Sequence, residues 1–589
     1  MYSEWSLDVL YKGTEDPALQ SDIKKLEEQT AAYKQLIAAI PETDDVAAQR
    51  QTLKEIMEAK EALMLLSRRL GSYFSLRRSA NNNDAEAASY QTKLQTLMTS
   101  TSKENVVFEK YIGSLQNLDA IIEGDELLSA YGFYFSQIQD SICHKIGDEA
   151  EAVFAKMNLS GGNAWSDLFD YMTAGVKVDY QGSTTTLPAI RGLAANPDPE
   201  VRKSAYEAEL ASYDKIKGPI AFALNSIKAQ ANLEAELRGY ENPLAMTLDR
   251  SRMQKATLDA MLSAIRDYLP RFQAYLRRKA TLLGHKNGLP WYDIAAPVGE
   301  AGSKKYTAEE AHAYLVEHFR SFAPDLADMV DAAFHEEWID FYPRSGKVGG
   351  AFCANLPFVK QSRILTNFTG EFTEVVTLAH ELGHAYHGMQ IQEQRPLNTR
   401  YTMPVAETAS NFNELIIMND AIAKAEGAEK LQLIESQIQD CTQIIVDIYS
   451  RFLFEDEVIR RRKDSFLFPA DLEQIMVNAQ KEAFGDGLDP DYLHPYMWCC
   501  KSHYYSAGLN YYNFPYAFGG LFSRGLYAKY LEEGEAFLPK YRKLLTATTV
   551  NTVEDVAQIA GIDLTNPDFW RASLDIIDQT IELFLKETE

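Results

Sequence analysis

Apolar positions in the first eighty residues repeat at helical spacing. The repeat runs from residue 21 to about residue 40, where Pro41 ends it, and its apolar positions are Ile23, Leu26, Tyr33, Ile37 and Ile40. A second helical pattern runs from about Val46 to Arg78 and stops before a polar turn at residues 79–83. The two segments predict a long helical hairpin. We expect it to pack within the molecule, and docking of a partner is the alternative.

The helical pattern continues to about Lys156 and is then interrupted. Residues 176–180 and 183–187 suit two short strands joined by the turn Gln181-Gly182. A break follows at 196–199, which reads Asn-Pro-Asp-Pro. It predicts a domain boundary between an N-terminal helical domain, residues 1–195, and a larger domain, residues 196–589.

The second domain is predicted to be mainly helical. Helical patterns cover about 200–237, 252–283 with a kink at Pro270, and 308–322. Residues 346–368 are β-like, with strands expected at 349–353 and 363–368. The second strand leads directly into another helix. The expected class is therefore mainly α, with a small sheet beside that helix.

Composition and charge restrict the classes of binding partner and the cellular compartment expected for this protein. The chain has 589 residues and a formal net charge of −26, which disfavours nucleic acid and anionic membranes as partners. The five cysteines form no CxxC pair, which favours a reducing compartment. The N-terminus has no signal-peptide pattern and no apolar run is long enough to span a bilayer. These features predict a cytoplasmic protein.

The segment His380-Glu381-Leu382-Gly383-His384 carries the main chemical signal. Two histidines four residues apart lie on one face of a helix, so both imidazoles can bind one zinc ion. The glutamate between them can activate a water on that ion. The alternative is a helix that merely carries two surface histidines and an exposed glutamate.

A catalytic zinc usually has three protein ligands and an open position for water. Residue 390 is glutamine, so a third histidine in the short HExxHxxGxxH pattern is absent. Glu407 and Glu414 follow Pro404, a helix-start signal, and lie seven residues apart on one helical face. Glu407 could reach the metal, and Glu414 could orient one of its ligands. The alternative for both is a solvated helix charge.

Three segments together resemble the oligoendopeptidase F branch of the thimet oligopeptidase family, which are zinc endopeptidases of oligopeptides. They are residues 367–370 (NFTG), 377–387 (TLAHELGHAYH) and 407–414 (ETASNFNE). Arg238-Gly239-Tyr240 and the C-terminal tyrosine-rich stretch extend the likeness. The resemblance implies a large helical metallopeptidase body with its active site in a deep internal cleft.

The resemblance also implies roles for single residues. One zinc ion per chain would be held by His380, His384 and Glu407, and Glu381 would be the general base and later the acid. His503, Tyr512 and Tyr516 would contact the substrate and the developing oxyanion, with Tyr511 as another substrate-binding candidate. Packing of aromatic rings is the alternative for these four residues.

Two further assignments complete the predicted site. By resemblance, Gly349-Gly350-Ala351 would form an edge strand that pairs with the substrate backbone, whereas a plain hairpin is the alternative. His387 fits support of the metal ligands better than ligation. His335 has no second ligand at a useful sequence spacing and is expected to be structural or exposed.

The sequence thus predicts a zinc-dependent endopeptidase that hydrolyses internal bonds of short oligopeptides with a metal-activated water. A helical zinc carboxypeptidase is a second hypothesis, because it can share HExxH and a distal glutamate. A non-catalytic, peptide-binding scaffold is a third. Intact Glu381 and the complete ligand set argue against the scaffold.

Overall fold

The N-terminal part of the chain is helical. The computed structural model describes residues 3–299 and 305–589. Its first nine helices are α1 (Pro17–Ala38), α2 (Val46–Ala80), α3 (Ala85–Thr99), α4 (Ser102–Ser114), α5 (Leu118–Ile122), α6 (Glu126–Ala130), α7 (Gly132–Ile142), α8 (Asp148–Ser160) and α9 (Gly162–Gly175). The predicted hairpin of α1 and α2 is confirmed. Its second helix begins where the Asp45 side chain accepts a hydrogen bond from the Ala48 amide.

The next segment begins with a β-hairpin. Strands β1 (Lys177–Tyr180) and β2 (Ser183–Thr186) pair in antiparallel register, which confirms the predicted pair. Gln181 and Gly182 form the turn and both have positive φ, 49° and 79°. Seven helices follow: α10 (Leu187–Gly192), α11 (Pro199–Tyr213), α12 (Lys217–Leu237), α13 (Pro243–Arg250), α14 (Lys255–Leu282), α15 (Ala308–Phe322) and α16 (Pro324–His335).

Two prolines affect these helices differently. The pattern at 200–237 predicts one helix, but the structure divides it between α11 and α12. Pro219 lies in the first turn of α12, where its missing amide hydrogen costs nothing and its ring would block a continuous helix. By contrast, α14 continues through Pro270 as one helix.

A three-stranded sheet follows, composed of β3 (Ile339–Asp340), β4 (Phe352–Leu356) and β5 (Gln361–Leu365). The strand order is β3-β5-β4, with β3 parallel and β4 antiparallel to β5. The prediction that Gly349-Gly350-Ala351 forms an edge strand is wrong, because strand β4 begins only at Phe352. Gly350 has a φ of 79°, which a strand does not accommodate. The side chain of Asn367 holds this bend by donating to the carbonyl of Gly350, at 2.9 Å.

Helices complete the chain. They are α17 (Phe372–Ile391), α18 (Met403–Ala406), α19 (Thr408–Lys424), α20 (Gly427–Thr442), α21 (Ile448–Arg462), α22 (Pro469–Phe484), α23 (Met497–Cys500), α24 (Phe514–Glu533), α25 (Leu538–Ala547), α26 (Val553–Gln558) and α27 (Pro567–Glu587). A π-helical turn, Gln443–Asp447, joins α20 to α21. The mainly α class with a small sheet beside α17 is confirmed.

Within the described part of the chain, the buried apolar residues form three cores. One joins residues 5–138 to Leu356 and Leu365 of the sheet, a second covers 169–227 and 454–505, and the third spans 248–584. The predicted boundary between residues 195 and 196 falls within the sequence span of the second core, and it stays a prediction. No helix among residues 3–299 and 305–589 is long and apolar enough to cross a membrane.

A buried ion pair ties α12 to α21. The Lys228 ammonium lies 2.7 Å from the Glu455 carboxylate and 3.0 Å from the Asn510 side-chain oxygen. The Tyr511 amide donates to the same carboxylate, at 2.9 Å. Both charged side chains are 1% exposed, so neither can exchange its partner for water.

We expect Lys228→Met to lower the free energy of unfolding by about 3–5 kcal/mol, because it leaves the buried carboxylate of Glu455 without a cation. Urea denaturation measures the loss. Lys255→Met is the control, since its pair with Asp259 is exposed and contributes at most about 1 kcal/mol. Equal, small losses in both variants would contradict a structural role for the buried pair.

Candidate active site and metal centre

The helix that carries HExxH has a well-defined start. Glu371 and Glu374 form a capping box at the N-terminus of α17. Glu374 also accepts from the Thr369 amide, at 2.6 Å, and thereby ties the end of the preceding segment to the helix. His380 and His384 are four residues apart within this helix, so they occupy successive turns on one face.

His380, His384 and Glu407, hereafter the His–His–Glu cluster, come together in space. The Nε2 atoms of both histidines lie 3.3 Å from Oε2 of Glu407. Potential ligand atoms of the three residues lie within 4.8 Å of one another. Glu407 is the residue before α19, between the short helix α18 and α19. The predicted metal ligands therefore converge on one point from two helices.

Glycines let the helices approach closely enough for this convergence. A Cβ atom on Gly383 would lie 2.5 Å from Cα of Ser410 and 2.6 Å from the carbonyl oxygen of Ala409. Gly519 on α24 has the same function on the other side, since a Cβ there would lie 3.1 Å from Cβ of Glu407. The glycine inside HELGH thus allows the backbone of α19 to pack directly against α17.

Other polar side chains of α19 fix the cluster. Oε1 of Glu414 lies 2.5 Å from Nδ1 of His380, which leaves Nε2 directed at Glu407. The Ser410 hydroxyl donates to Oε2 of Glu407, at 2.6 Å. Asn413 donates to the carbonyl oxygen of Ala379 on α17, at 3.2 Å. The structure thus places Glu414 where support of a ligand was predicted. Ser410 had no predicted role, although its i+3 spacing from Glu407 indicates the contact.

The cluster attracts positive charge. Burial raises the pKa of the Glu407 carboxyl, but hydrogen bonds from His380 and His384 outweigh burial and hold that pKa well below its usual range. Burial lowers the pKa of His380, whereas its hydrogen bonds with Glu407 and Glu414 raise it to about 10. The site between the two imidazoles and the carboxylate therefore favours a proton. Such a site also suits a divalent cation, which replaces the proton on binding.

Glu381 lies beside the cluster and is 6% exposed. Burial raises the pKa of its carboxyl, and the charges of Glu407 and Glu414 add to this effect against the opposing charges of His380 and His384. The thiol of Cys353 on β4 is close enough for Glu381 to raise its pKa, in addition to burial. A carboxyl group with a raised pKa and two imidazoles nearby can accept and return a proton.

His503 and two tyrosines form an aromatic layer. His503 stacks on Tyr512 with 4.3 Å between ring centroids, and its ring lies 6.2 Å from that of Tyr516. Burial, a hydrogen bond with Tyr512 and the charge of Glu407 raise the pKa of Tyr516, so its hydroxyl lies within electrostatic reach of the cluster. We call His503, Tyr512 and Tyr516 the His–Tyr layer.

Tyr511 has a different environment. Its φ is 53°, and its hydroxyl donates to Asp456 at 2.8 Å. This contact with Asp456 of α21 occupies the hydroxyl, and the Tyr511 ring packs on Phe452 of the same helix. The alternative of Tyr511 as a substrate contact therefore has less structural support than Tyr512 and Tyr516.

Asn513 was not singled out from the sequence. Its Oδ1 lies 2.9 Å from Nδ1 of His503 and also accepts a hydrogen bond from Arg451, at 3.4 Å. Burial lowers the pKa of His503, and the charges of Arg451 and Lys501 lower it further. Only the folded chain brings Arg451 to this residue, so sequence spacing gave no signal for it.

His387 is fully buried on α17. Its Nε2 lies 2.9 Å from the Thr548 hydroxyl, and its ring stacks on Tyr401 at 4.3 Å. Burial lowers the pKa of His387 to about 3, so the ring is neutral. These contacts fit a residue that supports α17 rather than one that binds a metal.

A second group of possible ligands lies on α15 and α16. Nε2 of His312 and Nε2 of His335 lie 2.9 Å and 3.4 Å from Oδ1 of Asp331. The expectation that His335 is structural or exposed is confirmed, but Asp331, four residues earlier on the same helix, and His312 on α15 both lie close to it. His335 is 62% exposed, and no buried carboxylic acid comparable to Glu381 accompanies this group among the described residues.

The donor set of the His–His–Glu cluster fits zinc. Two imidazole nitrogens and one carboxylate oxygen are the ligands of many catalytic zinc sites. The cluster side chains are only 19–29% exposed, so a bound ion would lie in a recess that still admits a substrate. A helical body with such a site defines a metallopeptidase.

Comparisons with known proteins agree with this class. The family model described as Peptidase family M3 matches residues 193–576, and the model described as Oligopeptidase F matches residues 114–177. The chain therefore belongs to peptidase family M3, in its oligoendopeptidase F branch. It is a metalloendopeptidase that acts on oligopeptides.

Relatives match over nearly their whole length. Oligopeptidase PepF of Bacillus subtilis is 23% identical, over 90% of this chain and 80% of that protein. An oligoendopeptidase F homolog of Mycoplasma pneumoniae is 23% identical, over 98% and 97%. Among solved structures, one from Chlamydophila abortus has a TM-score of 0.87 at 18% identity, covering 99% of this chain and 98% of that one. Oligoendopeptidase-F from Enterococcus faecium has a TM-score of 0.69 at 18% identity, covering 96% and 98%.

We expect Gly383→Ala to separate α17 from α19, because its Cβ would overlap backbone atoms that cannot rotate away. Zinc affinity should fall by at least about tenfold, since Glu407 moves with α19. Competition with a chromogenic chelator measures the affinity. Gly218→Ala is the control, because a Cβ on that residue of α12 meets nothing within 4 Å. Unchanged zinc affinity in Gly383→Ala would show that the close approach is not required.

Proposed function

We propose that this protein is a zinc-dependent endopeptidase that hydrolyses internal bonds of short oligopeptides. The observation that carries the proposal is the His–His–Glu cluster beside buried Glu381. His380, His384 and Glu407 would hold one zinc ion, with Glu414 and His387 as supporting residues. When bound, zinc acts as a Lewis acid and lowers the pKa of a water molecule to about 7.

The protein residues would then move the protons. Glu381 takes the proton of the attacking water, and its raised pKa allows it to pass that proton to the leaving amine. The fixed position of Glu381 one residue after His380 keeps it next to the reacting atoms. Since the carboxyl is buried, bulk water does not compete for the proton.

The His–Tyr layer would bind the substrate carbonyl. Tyr512 and Tyr516 present hydroxyl groups that can donate to an oxygen as negative charge develops on it. His503 orients Tyr512 by stacking. Asn513 contacts the imidazole of His503 and accepts a hydrogen bond from Arg451. We assign Tyr511 only a supporting role, because its hydroxyl is bound to Asp456.

The sheet would position the peptide. Strand β4 is at the edge of the sheet and contacts α17, since Asn355 donates to the carbonyl oxygen of His384 at 3.2 Å. A peptide could add to this edge through its backbone, and the bend Gly349-Gly350-Ala351 leaves room for its approach. A recessed site of this kind would favour flexible oligopeptides. The free cysteines are consistent with the proposed cytoplasmic location.

We expect Glu381→Gln to retain one zinc ion per chain and to lose peptide cleavage by at least about 1,000-fold in kcat, because the amide cannot accept the proton of water. Glu407→Ala should instead lose the metal. Elemental analysis and cleavage of a quenched fluorescent peptide measure the two effects.

Glu393→Gln is the control, because this exposed glutamate pairs with Lys360 at the surface. Wild-type cleavage by Glu381→Gln would contradict the proposed role of Glu381. Retention of zinc by Glu407→Ala with unchanged affinity would remove that residue from the ligand set.

We expect Tyr516→Phe and Tyr512→Phe to lower kcat by about 10–1,000-fold with little change in KM, because the lost donors act on charge that develops in the transition state. Steady-state kinetics separate the two constants. Tyr527→Phe is the matched control, since it lies on the same helix as Tyr516 and packs against Phe412. An effect on KM alone would assign the hydroxyls to ground-state binding.

A further inference from the structure

A cavity of about 310 Å³ lies beside the segment that carries His503. Helices α10 and α11, the π-helical turn and the segment 484–501 contribute to its walls. Four of its lining residues are cations: Arg191, Arg202, Arg451 and Lys501. In a chain with a formal net charge of −26, this local excess of positive charge is unusual.

Three of the four cations have partners. Arg202 lies 2.7 Å from Asp293, and both side chains are buried. Arg451 pairs with Asp447, which is in the π-helical turn. Arg191 lies 3.2 Å from Glu209. These pairs neutralise most of the charge that the guanidinium groups bring.

Lys501 is the exception. Among residues 3–299 and 305–589, its ammonium group makes no ion pair or hydrogen bond. Burial lowers the pKa of Lys501, and the nearby charges of Arg451 and Arg191 also lower it, against the opposing effects of Cys500 and Asp447. A half-buried ammonium next to two guanidinium groups is stabilised by an anion.

The cavity also has apolar walls. Ile190, Trp291 and Phe484 line it together with small residues. Its volume is at the lower end of the range for ligand sites, roughly 300–1,000 Å³. A ligand that fits has one anionic group and a modest apolar part.

The cavity adjoins the catalytic site. Lys501 is the residue just before the short turn Ser502–Tyr505, and His503 lies within that turn. Arg451 donates to the Asn513 oxygen that contacts His503. Tyr516 belongs to the same aromatic layer as His503, and the charge of Glu407 raises its pKa. The cavity is thus linked to the His–Tyr layer through Arg451, Asn513 and His503.

We propose that this cavity binds the C-terminal carboxylate of the oligopeptide substrate, with Lys501 as its counter-ion. The inference rests on the proposed peptidase function. The C-terminal carboxylate is the one anion that every unblocked peptide carries at neutral pH, whatever its sequence. The apolar walls receive the last side chain. A terminus held at a fixed place would set the cleaved bond at a fixed distance from that terminus.

The test uses one quenched fluorescent peptide in two forms, with a free C-terminal carboxylate and with a C-terminal amide, and no acidic side chain. We expect the amide to lower kcat/KM of the wild-type enzyme by about 10–100-fold, mainly through KM, because one charged hydrogen bond is lost. Lys501→Met should lose a similar factor on the acid and almost nothing on the amide. Mass spectrometry should show cleavage at a constant distance from the free carboxylate.

Three controls distinguish loss of the Lys501 charge from a general effect of the substitution. Lys540→Met removes an exposed lysine and should keep the wild-type ratio of acid to amide. Lys501→Arg should restore part of the preference, because it restores the charge. Zinc content and melting temperature show whether Lys501→Met has folded correctly.

Several outcomes would overturn the proposal. One is an equal kcat/KM of the wild type for the acid and the amide peptide. Another is a wild-type ratio of acid to amide kcat/KM in Lys501→Met. A third is recovery of amide cleavage by added sodium phosphate, which would assign the cavity to a free anion. If an aspartate placed inside the amide peptide restored its cleavage, the cavity would be assigned to an acidic side chain of the substrate. If the wild type cleaves neither peptide, the proposed function fails instead. Calorimetry of a C-terminal product peptide against Glu381→Gln then still tests the cavity, and equal binding by Glu381→Gln with and without Lys501→Met would overturn it.

Discussion

The contact between α17 and α19 is the constraint on which the site depends. Gly383 has no side chain to keep the two backbones apart. Once the helices touch, Glu407 faces His380 and His384, and Glu414 reaches the far side of His380. The relative position of the three candidate ligands thus follows from backbone packing, which is more rigid than any single side chain.

The charges around this contact divide into two regions. Carboxylates concentrate on the α19 side, where they attract a cation and raise the pKa of Glu381. Guanidinium and ammonium groups concentrate behind His503, around the cavity with Lys501. A peptide bond between the two regions would have a cation near its carbonyl oxygen on one side and an anchor for its terminal charge on the other. Electrostatics would then select both the bond and the orientation of the peptide.

Sequence periodicity predicted the presence of helices and strands better than the residues at which they begin and end. The hairpin of α1 and α2 and the strands β1 and β2 follow from local spacing and turn chemistry, which act over a few residues. The division of α11 from α12 and the late start of β4 depend on Pro219 and on the positive φ of Gly350. Such positions are recognisable in a sequence, but their consequences depend on which neighbours the fold supplies.

The sequence by itself determined the family likeness and the helical class. It also predicted His380, His384 and Glu407 as metal ligands, because HExxH and a glutamate on the next helix are local patterns on regular elements. Only the tertiary structure decided the rest. It joined Arg451, Asn513 and His503, brought His312 of α15 close to His335 of α16, and left Lys501 facing a cavity without a counter-ion among residues 3–299 and 305–589. These relations link residues far apart in the chain, and their strength depends on burial and distance, which no spacing along a sequence records.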